Sequence, residues 1–116
     1  MVTAKQRVAV LQLDKGKSYL LRQSHSFYSR LLGWRARGTY DGVWLLPCSA
    51  IQTFTVKQSF DLIWLNKQME ILRFDFMVPP NRVLACWRAH SVIELPAGAL
   101  TKVRETPNLV LQGDVK

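Results

Sequence analysis

Residues 60–77, FDLIWLNKQMEILRFDFM, carry the strongest period-two pattern in the chain, and their reading decides the fold. Successive side chains of a strand point to opposite faces, so Phe60, Leu62 and Trp64 share one face and Asp61, Ile63 and Leu65 the other. Asp61 is the polar exception in an otherwise apolar run. A turn near Asn66 and Lys67 leads into ILRFDFM, which alternates again and predicts Leu72, Phe74 and Phe76 facing inward, with Arg73 and Asp75 facing water. Pro79 and Pro80 then stop the strand, because proline cannot donate to a sheet ladder. Two runs of this kind joined by a short turn predict an antiparallel hairpin.

Working outward, GVWLLP is a continuous apolar run between Gly42 and Pro47, as expected of a strand covered on both faces. Further upstream, RVAVLQL, DKGK and SYLLRQ read as two strands joined by an Asp/Gly turn. Between these elements SHSFYSRLLGW predicts a short helix: Ser24 caps it, Phe27 pairs with Leu31 and Tyr28 with Leu32, and Gly33 ends it. Downstream, VLACWRAHSVIEL reads as one or two further strands, PAGALTKVRE as a helical turn, and NLVLQGDVK as a tail. The sum is an α+β domain, mostly β: a compact, small barrel-like or sandwich sheet with one or two short helices. At 116 residues, 1–116 reads as a single domain large enough for one core.

Composition narrows the function classes. The opening MVTAKQRVAVLQLDKGK lacks the apolar core and cleavage site of a signal peptide, so the expectation is a cytoplasmic protein, and no apolar stretch is long enough for a membrane-spanning helix. Cys48 and Cys86 lack CxxC spacing, and two thiols with His25 and His90 make neither a zinc cluster nor a disulfide-rich scaffold, so they read as core thiols. No HxxxH pair, phosphate-binding glycine loop or carboxylate cluster is present, so no metal and no cofactor is expected. Pairing Cys48 with His25 or His90 as a nucleophile lacks an accompanying glycine-rich elbow, which favours packed thiols and solvent-facing histidines and argues against an enzyme. Charge is asymmetric. Of the net +8, residues 1–58 contribute +7 (nine Lys/Arg against Asp14 and Asp41) and residues 59–116 contribute +1 (seven against six). A basic half favours an acidic partner, and Arg30, Arg35 and Arg37 interleaved with Trp34 and other aromatics are the residue types that bind phosphates and stack on bases.

Five pieces in order, SRLLGW, GVWLLPCSAIQTF, FDLIWLN, VIELPAG and the terminal Gly113-Asp114, give a chain that resembles a bacterial and archaeal family without assigned activity, domain of unknown function 192, also called uncharacterised protein family 0127. The resemblance implies a compact, mostly β domain. That family commonly carries His and Met near the positions of Gln52 and Val56; this chain departs there, which argues against metal or histidine chemistry. Many relatives are exported.

Two carboxylates stand out. Asp61 on an apolar strand must be hydrogen-bonded, paired or protonated: it accepts backbone N–H groups as part of the scaffold, or it anchors a polar pocket with Gln52 and Thr53. Glu94 sits in VIEL before Pro96 and Gly98; it shares a face with Val92, points outward or toward the QTF segment, and has Arg30 as a candidate partner. Two functions follow. The first is a non-catalytic accessory or interaction module that binds a protein or small ligand through a groove near Gln52, Thr53, Asp61 and Glu94. The alternative is non-specific nucleic-acid or polyanion binding through Arg30, Arg35, Arg37 and Trp34.

Overall fold

The computed structural model describes residues 8–13, 17–25, 38–54, 56–100 and 110–112. Nine strands lie within them: β1 (Val8–Leu13), β2 (Lys17–Ser24), β3 (Gly42–Leu45), β4 (Ala50–Gln52), β5 (Phe60–Leu65), β6 (Ile71–Val78), β7 (Val83–Ala85), β8 (Ser91–Pro96) and β9 (Val110–Gln112). Seven form an open sheet in the order β6-β5-β8-β3-β2-β1-β9, and β4 pairs with β7 as a separate two-stranded ribbon. The fold is therefore mostly β and layered, and the seven-stranded sheet is not a closed barrel.

No helix occurs among the described residues. Ser24, expected to cap one, is the last residue of β2; residues 26–37, which hold the rest of that segment, lie outside the described set. The stretch after Pro96 begins as a turn over residues 97–100, with Gly98 in the left-handed region at φ 89°, and its continuation also lies outside.

The expected hairpins are both present, β1 with β2 and β5 with β6, each antiparallel. β8 inserts between β5 and β3, and β2 runs parallel to β3. This places β3, β5 and β8 at the centre, where both faces are buried, which is why their sequences are mostly apolar, with Asp61, Ser91 and Glu94 as buried polar exceptions. Cross-strand register sorts the side chains. One face carries Ala9, Leu11, Leu21, Trp44, Ile63, Leu65, Ile93 and Leu95, with Leu100 packed against them. The other carries Val43, Leu45, Phe60, Leu62, Trp64 and Val92, and the ribbon packs onto it through Ile51 and Leu84.

The β6 alternation does not run as the sequence suggests. Leu72 is 37% and Phe76 54% exposed, while Phe74 is half-buried against the core. Register shifts explain this. Trp64 opposes Arg73 and Leu65 opposes Ile71, so Leu72 is an extra residue; Leu62 opposes Asp75 and Phe60 opposes Val78, so Phe76 and Met77 together face Asp61. Met77 takes the left-handed conformation at φ 52° that this second bulge requires. The displaced register turns Arg73 and Asp75 onto the Trp64 face. There the fully buried indole Nε1 donates to Asp75 Oδ2 at 2.7 Å, Arg73 bridges to the same oxygen at 3.0 Å, and the guanidinium lies 5.2 Å from the Trp64 ring centroid. A buried indole N–H needs an acceptor, and Asp75 supplies it at the cost of exposing two apolar side chains.

Candidate functional site

Asp61 is fully buried, and both its oxygens are engaged by the backbone: Met77 N–H donates to Oδ1 at 2.7 Å and Leu100 N–H to Oδ2 at 2.9 Å. The carboxylate thus fastens the β6 bulge and the turn after β8 to the central strand. Thr53 is fully buried as well. Its hydroxyl donates to Pro79 C=O at 2.9 Å and accepts from Arg82 N–H at 2.8 Å, which ties the end of β4 to the β6–β7 connection. Gln52, half-buried, accepts from the Phe54 N–H at 2.7 Å and shapes the turn that follows β4.

Glu94 is only 1% exposed, and its Oε2 has no hydrogen-bond partner. It opposes Leu62 on one side and Val43 on the other, while Asp61 opposes Leu95. Alternation therefore puts Glu94 and Asp61 on opposite faces of one sheet, and the expected groove does not bring the two carboxyls together. The same row continues to Asp75 beyond Leu62 and to Arg22 beyond Val43, each two strands away. Arg30, the expected partner, lies outside the described residues, as do Trp34, Arg35 and Arg37. Burial without a compensating donor pushes the Glu94 carboxyl from its ordinary 4.5 up to about 8, so it is held mainly as the neutral acid at neutral pH. Trp44 Nε1 and Ser91 Oγ, on the opposite face, are likewise buried without partners.

Cys48 and Cys86 are half-buried thiols outside any disulfide, at the edge of the ribbon-covered core; His25 is exposed and His90, expected in solvent, is half-buried with its carbonyl accepting from Cys48 N–H at 2.8 Å. Among the described residues no group of three or more His, Cys, Asp or Glu could hold a metal ion.

The ribbon supplies what the sequence reading passed over. Ile51 and Leu84 face the core, the alternate positions Ala50, Val83 and Ala85 are exposed, and so are Phe54 and Trp87 in the turns that follow β4 and β7. Phe54 is 58%, Val83 66% and Trp87 83% exposed, and the Arg88 guanidinium lies 5.3 Å from the Trp87 ring centroid. Apolar residues on both faces of so short a strand pair are the signal. It was legible in VLACW only once β7 was known to be separate from β8.

These features define a class: a mostly β domain whose open seven-stranded sheet carries a two-stranded ribbon on one face. Two solved structures share that fold. One is a protein of unknown function from Novosphingobium aromaticivorans DSM 12444, with TM-score 0.69 and 13% identity over 90% of this chain and 83% of that one. The other, from Sinorhizobium meliloti 1021, is described as a "putative transcription regulator"; it aligns with TM-score 0.72 and 14% identity over 97% of each chain. At such identities the likeness is one of fold alone. No family model and no curated protein matches the chain.

Proposed function

We propose that this chain is a non-catalytic interaction module of the uncharacterised prokaryotic family it resembles, and that it binds a partner protein through the outward face of β4 and β7. The observation that carries the reading is the exposure of Val83 on the ribbon and of Phe54 and Trp87 in the turns that follow its two strands. Large apolar side chains in a contiguous exposed group mark interaction surfaces, and tryptophan with arginine is a pairing enriched where binding energy concentrates. Phe54 of the QTF segment belongs to this surface, whereas Asp61 and Thr53 spend their polar atoms on the scaffold.

The test is site-specific photo-cross-linking in cells, with the cross-linker replacing Val83 or Trp87 and, as control, Leu72 on the bulged edge. A discrete protein adduct at the two ribbon positions and not at Leu72 supports the reading; no adduct, or the same adducts at all three, overturns it. The net charge of +8 favours a second reading, non-specific polyanion binding through Arg30, Arg35, Arg37 and Trp34.

A further inference from the structure

The partner's mode of docking can be taken one step further, resting on the ribbon-face reading above. We infer that an extended, acidic segment of the partner adds as a third strand to the outer edge of β7.

Backbone register identifies the free groups. Thr53 N–H donates to Arg82 C=O at 2.9 Å and Cys86 N–H to Ser49 C=O at 2.8 Å, and Ile51 opposes Leu84. In an antiparallel pair the residues that bond across the ladder alternate with residues whose N–H and C=O point the other way. Arg82, Leu84 and Cys86 therefore turn inward to β4, and Val83 and Ala85 present their backbone groups at the outer edge. Both residues are also exposed.

Edge strands that must not pair are blunted by bulges, charges or inward-pointing polar groups. β6, one edge of the large sheet, has two bulges, the Arg73–Asp75 pair, and a Met77 amide consumed by Asp61. β7 reads Val-Leu-Ala and has none of these. An extended segment laid on it bonds to Val83 and Ala85, and its alternate side chains reach the apolar face that ends in Trp87.

Charge selects the occupant. Residues 46–59 and 79–90, which hold the ribbon and its flanks, contain no Asp or Glu but include Lys57, Arg82 and Arg88, all exposed. Arg82 precedes the three residues of β7 and Arg88 lies in the Cys86–Ala89 turn that follows it, so cations flank the added strand at both ends and favour acids there. An uncharged or basic strand gains nothing from these cations.

The test uses the full chain labelled with nitrogen-15 and a blocked peptide in which valine and threonine alternate between glutamate-rich ends. Saturable binding is expected, with a shift of the Trp87 indole resonance and about tenfold slower hydrogen exchange at Val83 and Ala85. Methylating alternate peptide amides, which removes the pairing donors, should abolish binding, as should Val83→Pro, which deletes an outward N–H that no intrachain bond uses. If the indole shifts but the two amides stay unprotected and methylation is harmless, strand addition is overturned while the ribbon-face reading stands. Equal binding of a lysine-ended peptide, or displacement of the acidic peptide by oligothymidylate, overturns the assignment of an acidic protein strand. No peptide binding despite a protein adduct at Trp87 overturns strand addition alone; absence of the adduct as well overturns both.

Discussion

Asp61 and Glu94 lie on adjacent strands, and their carboxyls have opposite fates. Asp61 accepts two backbone N–H bonds, and Asp61→Ala leaves both donors buried without an acceptor, at a cost of about 1–3 kcal/mol for each group left unsatisfied. Urea unfolding should show that loss, and an unchanged midpoint would place the role of Asp61 outside the scaffold. Glu94 has the reverse sign. Its folded pKa is raised to about 8, so the native state holds a proton that the unfolded chain releases near 4.5. Its contribution to stability is fully present below pH 4.5 and is lost as pH rises through about 8, at about 1.4 kcal/mol per pH unit inside that window. Glu94→Gln removes the titration. The stability difference between variant and wild type should therefore move in favour of the variant from pH 5 to pH 8, and parallel curves would show that Glu94 titrates normally.

At the scale of elements, β3 is held by close approach as much as by apolar burial. A Cβ on Gly42 would sit 2.5 Å from the Glu94 carbonyl oxygen and 2.9 Å from Leu21 Cδ2. The first of these is backbone and cannot rotate away. Gly42→Ala should therefore force β3 from β8 and cost about 1–3 kcal/mol, as overpacked cores do, read as a lowered denaturation midpoint with unchanged slope. A variant as stable as wild type would mean that the two strands separate without penalty. The β5–β6 pair shows a second principle: the register that exposes Leu72 and Phe76 also brings the Asp75 carboxylate to the buried Trp64 N–H, so a satisfied donor offsets part of the lost apolar burial.

Over the whole molecule the charge is lopsided, +7 in residues 1–58 against +1 in the remainder. Polyanion binding driven by that half should be weak, indifferent to sequence and steeply salt-dependent, because it works through counterion release. Arg35→Glu with Arg37→Glu should abolish it in fluorescence anisotropy with a labelled oligonucleotide. No binding by the wild type at low salt removes the polyanion reading and leaves the ribbon face as the surface to pursue. No helix among the described residues is long and apolar enough to cross a membrane.

The sequence by itself determined the local elements. Both hairpins, the doubly buried GVWL strand and the alternation of FDLIWL follow from apolar periodicity, proline and glycine, which act between near neighbours. Tertiary structure alone decided the rest. The order of strands set β8 between β3 and β5, which separated Asp61 from Glu94 across the sheet and buried Glu94 between Val43 and Leu62. Two bulges displaced Leu72 and Phe76 into water, and the ribbon, paired apart from the main sheet, left Val83 and Trp87 exposed. The physical reason is common to all three: a period-two pattern says which residues share a face of their own strand. Which neighbour covers that face is a long-range choice, made by strand order and by buried polar groups in search of partners.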